Sequence, residues 1–114
     1  MDSEDKKIPA PYEIVMAVKW CVTQWDVNPN LIKITDHARK AMLDEKPPVD
    51  EEEILEVLFY GEHYYNTGFW KEERGDWIAL YKTKYSICVI PYTLGLNQET
   101  GNPEDLVIIT VYRR

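Results

Sequence analysis

Two histidines, thirteen Lys and Arg and eight tyrosines are the side chains from which this 114-residue sequence could build chemistry. His37 is the sharpest candidate. It lies in Ile34-Thr35-Asp36-His37-Ala38-Arg39-Lys40-Ala41-Met42, where Thr35 and Asp36 are good helix N-cap residues. The imidazole is therefore expected in the first turn of a short helix, where the positive end of the backbone dipoles favours a neutral ring. A neutral imidazole can act as general base toward a ribose 2′-hydroxyl. The plainer alternative is a structural histidine whose ring bonds a backbone carbonyl and ties helix to strand.

Cations that could steady a phosphate or a transition-state charge are Arg39, Lys40, Arg74, Lys82, Lys84, Arg113 and Arg114. Lys82 and Tyr85 flank a predicted hairpin, and Tyr112-Arg113-Arg114 closes the last predicted strand. Together with Arg74 these are expected to converge on one sheet face; the expected catalytic residues are His37, Lys82, Arg74 and Tyr112, and the expected binding residues Arg39, Lys40, Tyr85 and Arg113. The competing reading is solvated charge at strand ends, the usual fate of Lys and Arg. Tyr60, Tyr64, Tyr65, Trp70, Trp77 and Tyr81 could stack nucleobases, or pack in a core or a partner interface. Cys21 and Cys88 lie far apart and read as buried thiols rather than a disulfide framework. No metal-ligand spacing, phosphate loop, dinucleotide fingerprint or serine elbow occurs, so neither a metal nor a cofactor is expected.

The elements that must hold these residues follow from periodicity. Residues 1–11 read as a polar, flexible lead-in ending in Pro9-Ala10-Pro11. Ile14, Val15, Val18, Cys21, Val22 and Trp25 recur at spacings of three and four and predict a helix over 12–25, broken by Val27-Asn28-Pro29-Asn30. Leu31–Ile34 predicts a short edge strand, and Asp36–Glu45 a short helix with Ala38, Ala41 and Met42 inward. Asp50 is a good N-cap. Glu51, Glu52 and Glu53 crowd the first turn behind it, with Glu53 placed for a capping box and Gly61 for the C′ position. From His63 onward the pattern is strand-like: His63–Phe69, Asp76–Lys82, Tyr85–Tyr92 and Leu106–Tyr112. Short links at Arg74-Gly75-Asp76 and Thr83-Lys84 imply antiparallel hairpins. Residues 93–105 read as a long, mobile loop. The expected fold is α+β: two or three helices packed on a four- to five-stranded, mostly antiparallel sheet, with residues 12–30 an added helix and linker and 31–114 a single domain.

Composition fits one globular domain, with 45% apolar and 29% charged residues. No run is long and apolar enough to span a membrane, and the polar start lacks a secretion pattern, so a cytoplasmic location is expected. The net charge of −7 is local. Residues 44–62 hold eight acids and one base, and the remaining 95 residues are neutral. No strongly basic stretch exists, which weighs against tight binding of nucleic acid regardless of sequence. A charge run of this kind is a solvated helix face or a docking surface for a basic partner.

Three segments in order resemble a small prokaryotic family, the domain of unknown function 4258. They are Ile34–Met42, with its His-Ala pair, basic residue and Met; Leu58-Phe59-Tyr60-Gly61-Glu62; and Ile109-Thr110-Val111-Tyr112. The resemblance covers about residues 31–114. It implies a fold similar to the RelE and BrnT toxins, with two helices on a curved antiparallel sheet. Relatives there include metal-free endoribonucleases that rely on arginine, lysine and tyrosine and are paired with an antitoxin. On that footing His37 or Lys82 is the expected base, Arg74 the phosphate ligand, RNA the substrate and an antitoxin the protein partner. Two departures stand out: Lys46-Pro47-Pro48 where the family has arginine and a turn, and the length of 93–105. The alternative is a non-catalytic module on the same fold that binds protein through its acidic helix 50–60. A third reading makes helix 12–25 a homodimer contact.

Overall fold

The structure, a computed structural model, describes residues 7–67 and 74–114. The lead-in up to residue 6, the end of the strand predicted over His63–Phe69, and Trp70 with its charged neighbours lie outside the described residues.

Helix α1 (Tyr12–Gln24) follows Pro11, whose carbonyl accepts from the Ile14 amide at 3.0 Å. The predicted stripe faces inward: Val18 and Cys21 are buried, with Ile14, Val22 and Trp25 packed beside them. A 3₁₀ turn over Pro29–Leu31 leads into β1 (Ile32–Ile34) and then α2 (Asp36–Asp44). Thr35 is the N-cap of α2, accepting from the Ala38 amide at 3.0 Å. Helix α3 (Glu51–Tyr60) is capped by Asp50, which accepts from the Glu53 amide at 2.8 Å. Only half of the expected capping box forms, because the Glu53 side chain turns inward to Arg113.

The strands are β2 (Glu62–Tyr65), β3 (Trp77–Lys82), β4 (Ile87–Leu96), β5 (Pro103–Ile108) and β6 (Tyr112–Arg113). With β1 they form one six-stranded sheet in the order β1-β5-β4-β3-β2, with β6 paired to β4. Among the described residues the class is α+β as expected, with three helices and a mostly antiparallel sheet, but the sheet has six strands rather than four or five and one of its pairings is parallel. Strand β1 runs parallel to β5, with Ile32 opposite Leu106 and Ile34 opposite Ile108. The loop predicted over 93–105 is mostly strand. Strand β4 continues to Leu96 and β5 begins at Pro103, leaving 97–102 as the turn. Gly95, Asn97 and Gly101 read as loop residues, but Thr93 and Leu94 pair with Val107 and Leu106, and that pairing carries the strand past Gly95. Of the lead-in, only its last residues are described. Ile8 and Ala10 exchange backbone hydrogen bonds with Tyr65 and His63, laying residues 8–10 along the edge of β2.

Alternation sorts the sheet into two faces. Trp77, Ala79 and Tyr81, with Cys88, Ile90 and Tyr92, meet the helices, while Ile78 and Val89 pack with Tyr112 on the other side. The strand predicted over Leu106–Tyr112 is interrupted. Ile108 pairs with Tyr92 and Tyr112 with Val89, so four steps on one chain match three on the other. The extra residue is a β-bulge at 109–111, and it turns buried Val111 to the same face as Ile108. Among the described residues no helix is long and apolar enough to cross a membrane.

Candidate functional site

His37 lies at the end of the sheet, on the pocket wall it shares with Thr110 and Val111 of the bulge. Thr35 does two jobs there. Its hydroxyl caps α2 and also donates to the carbonyls of Ile108 at 3.0 Å and Ile109 at 3.2 Å. Helix α2 is thus pinned by its first turn to residues 108–109, and its exposed His37 stands beside the bulge.

Arg74 arrives from the opposite side. Asn66 donates its side-chain amide to the carbonyls of Arg74 (3.1 Å) and Gly75 (3.0 Å), and the Asp76 amide donates to Tyr92 at 3.1 Å. Gly75 turns the chain at φ 92°, in the left-handed region that glycine favours, and a Cβ there would stand 3.1 Å from the Tyr92 carbonyl oxygen. This anchored turn delivers the guanidinium to the imidazole: Arg74 Nη2 donates to His37 Nε2 at 3.3 Å. A guanidinium has no acceptor, so Nε2 carries the lone pair and the ring proton sits on Nδ1. Next to the pair opens a pocket of ≈ 340 Å³ lined by His37, Ala41, Asp44, Glu45, Thr110, Val111 and Tyr112.

Of the four residues expected to be catalytic, the structure sets Arg74 against His37, and His37 and Tyr112 on the wall of one pocket. Lys82 is elsewhere. It closes β3 at the end away from Arg74, about 17 Å along the strand at ~3.3 Å per residue. Tyr112 borders the pocket while being buried beside Ile78 and Val89. Lys40 is three residues from His37 on α2 and borders the same helix face. Arg39 lies on another face, in an exposed ion pair with Glu51 at 3.4 Å. Tyr85 sits in the turn between β3 and β4, its ring flanked by Lys84 at 5.1 Å and by the Arg113 guanidinium at 5.4 Å.

Arg113, expected as a binding residue, is spent inside the fold. Its guanidinium is bidentate on Glu53 at 2.6 and 2.8 Å and also donates to the carbonyls of Pro47 and Pro48. Glu53 accepts a further bond from Thr83 Oγ1 at 2.8 Å. Both side chains of the pair are about 95% buried, 6% and 5% exposed. The acidic helix is accordingly less available than its sequence suggests: Asp50 caps, Glu51 meets Arg39, and Glu53 is internal. Glu52 and Glu56 are the members that line surface clefts beside Leu55 and Phe59.

The second histidine is structural. His63 Nε2 faces the Leu58 carbonyl at 3.0 Å, so it carries the proton, and Nδ1 accepts from the Tyr92 hydroxyl at 2.7 Å. Burial holds its proton affinity below the ordinary 6.5, against the opposing pull of the Leu58 carbonyl. The unfolded chain therefore binds a proton that the folded chain refuses, and stability should fall as pH drops below 6.5. Urea unfolding of wild type and His63→Gln between about pH 7 and 5 checks this. The variant should show a flatter slope, and equal slopes would refute the assignment. Both cysteines are fully buried, with the Cys21 thiol pushed up to about 11 and Cys88 to about 12 by burial, which makes them inert.

The residues that sequence reasoning missed are Asp44, Glu45 and Thr110 on the pocket wall and Thr35 as its clamp. Thr35 was visible as a cap. Its second role depends on the bulge, for which the sequence carries no local mark. Among the described residues no three His, Cys, Asp or Glu side chains are grouped as a metal cage would require. The chain matches no family model, no curated protein and no solved structure.

Proposed function

We propose that the chain is a RelE- or BrnT-like cytoplasmic protein that cleaves RNA without needing a metal, using the His37–Arg74 pair. One observation carries this reading. An exposed imidazole and a guanidinium that are 37 residues apart in sequence touch at 3.3 Å beside a pocket bordered by Tyr112. In the proposed reaction a phosphodiester takes up the Arg74 guanidinium, which frees His37 Nε2. Nε2 removes the proton of the 2′-hydroxyl, the 2′-oxygen bonds to phosphorus, and the bond to the 5′-oxygen breaks. That oxygen takes a proton from Tyr112, leaving a 2′,3′-cyclic phosphate and a 5′-hydroxyl. Lys82 has no part in it, and Arg113 belongs to the scaffold.

The test is cleavage of labelled single-stranded RNA in chelator at low salt. Positioned general base catalysis contributes about 10²–10⁴-fold. His37→Ala and Arg74→Ala should each lose about that factor, while Lys82→Ala keeps wild-type turnover. Cleavage that survives both substitutions would overturn the residue assignment. A protein that neither cuts nor retards RNA would shift the reading to a protein-binding module. Glu52 and Glu56 are then the acids to reverse, with an antitoxin-like basic partner as the target.

A further inference from the structure

The pocket beside the His37–Arg74 pair has an asymmetry of charge that the cleavage chemistry does not use. His37, Ala41, Asp44 and Glu45 reach it from α2 and its C-cap, at spacings of four, three and one that put them on one helix face. His37 and Asp44 stand about 10 Å apart along the axis at ~1.5 Å per residue. The imidazole therefore holds one end of the pocket and two carboxylates the other. Glu45 is already engaged, because its Oε1 accepts from the Arg113 backbone amide at 2.8 Å. Asp44 is exposed and meets no donor among the described residues. The bulge adds Thr110 to the same wall. It is 7% exposed, and its hydroxyl has no hydrogen-bond partner among the described residues. Buried hydroxyls are nearly always paired, so an orphan on a pocket wall marks a place for a polar atom of a ligand.

We propose that this pocket is a guanine subsite, filled by the base of the nucleotide whose 2′-hydroxyl His37 deprotonates. The choice of ligand rests on the RNA-cleavage reading. Two carboxylates repel phosphate, so the sugar–phosphate belongs at Arg74, outside the pocket wall, and the part that enters is the hydrogen-bond-donating base. Guanine alone among the four bases carries two adjacent donors, N1–H and N2–H, on its Watson–Crick edge. They match the two oxygens of one carboxylate as a guanidinium fork does. Its O6, next to N1, is an acceptor for the Thr110 hydroxyl. Cytosine and adenine offer a carboxylate one amino group, and uracil sets its single N–H between two carbonyls. Ala41 and Val111 supply apolar wall for the ring. At ≈ 340 Å³ the pocket is at the small end of the ~300–1,000 Å³ of small-molecule sites, as a single base requires. Asp44 then sets specificity, and the chain should cut on the 3′ side of guanosine, leaving guanosine 2′,3′-cyclic phosphate at the break.

The experiment is titration calorimetry on the full chain with the 3′-monophosphates of guanosine, adenosine, cytidine, uridine and inosine. Guanosine should bind tightest, by about ten- to a hundredfold over uridine, and inosine, which lacks the N2 amine, should fall between them. Asp44→Asn exchanges one acceptor oxygen for a donor, so it should erase the guanosine preference or turn it toward adenosine, which pairs with amides. Thr110→Val keeps the shape, removes the hydroxyl, and should weaken guanosine and inosine together, since both carry O6. Sequencing the ends of cleaved RNA supplies a second readout, with guanosine expected 5′ of each break. Selective binding of guanosine 3′-monophosphate by a chain that cuts no RNA would uphold the subsite and sink the ribonuclease. Cleavage without base preference would uphold the ribonuclease and overturn the subsite. Equal affinity for all five monophosphates, an unchanged ranking in Asp44→Asn, or arginine amide competing as well as guanosine 3′-monophosphate would also overturn it.

Discussion

Glu53→Ala should be among the most damaging single substitutions in the molecule, costing about 3–5 kcal/mol. The reason is what it leaves behind. The Arg113 side chain is 6% exposed and its guanidinium would lose both arms of its bidentate bond, and Thr83 would lose its carboxylate acceptor. Glu53 also raises the Arg113 proton affinity above its already high value, so the guanidinium cannot escape by shedding its charge. A domain of this size has about 5–15 kcal/mol in total, and the loss should lower the melting temperature by about 12–20 °C. Replacing both partners, as Glu53→Met with Arg113→Met, should recover most of the loss, because two apolar side chains leave no orphan charge. Thermal and urea unfolding of the three variants decides it. A Glu53→Ala protein within about 1 kcal/mol of wild type would show that the pair is not what holds 47–53 to the end of the sheet.

Gly61→Ala is expected to be nearly as costly, at about 3 kcal/mol or more, above the common range for overpacking. A Cβ at this position would lie 2.3 Å from the Val57 carbonyl oxygen and 2.8 Å from that of Leu80. Both are backbone atoms in regular elements, so neither can step aside as a side chain would. Relief requires either opening the last turn of α3 or prising β2 from β3. Gly95→Ala is the control, since its nearest neighbour is the Asp105 carbonyl oxygen at 4.0 Å. The two variants should differ by at least ~2 kcal/mol in urea, and equal effects would refute the steric account.

Gly61 also illustrates what was legible. The sequence places a glycine at the end of α3, and the helix does end there, but not through a left-handed residue. Gly61 has φ −75°, an ordinary value, and glycine is needed because the Val57 carbonyl of α3 and the Leu80 carbonyl of β3 both pass so close. Local signals were read well: the stripe of α1, the caps at Thr35 and Asp50, and the alternation in β3 that sends Trp77 and Ile78 to opposite faces. What was misread depends on partners distant in the chain. Residues 93–105 carry turn-forming types, yet pairing with Val107 and Leu106 extends β4. Arg113 looks like any strand-end cation until Glu53 is found beneath it. The site divides along the same line. His37 and Arg74 could be named from residue type, and their contact follows from the Gly75 turn and the Asn66 bonds. Lys82 carries the same kind of charge, but the direction of β3 takes it to the other end.

The parallel pairing of β1 with β5 has a consequence for the order in which the fold is completed. Ile32–Ile34 must wait for Leu106–Ile108, a loop closure of some seventy residues, and such long-range closures slow folding. The Thr35 clamp waits for the same segment, because its acceptors are the carbonyls of Ile108 and Ile109. The helices and the β2–β3–β4 meander can form from nearer neighbours. A chain in which residues 103–112 have not yet joined the sheet therefore has no organised His37 pocket. Order at that pocket is withheld until residues 103–112 join the sheet, so the pocket is among the last parts of the fold to be completed.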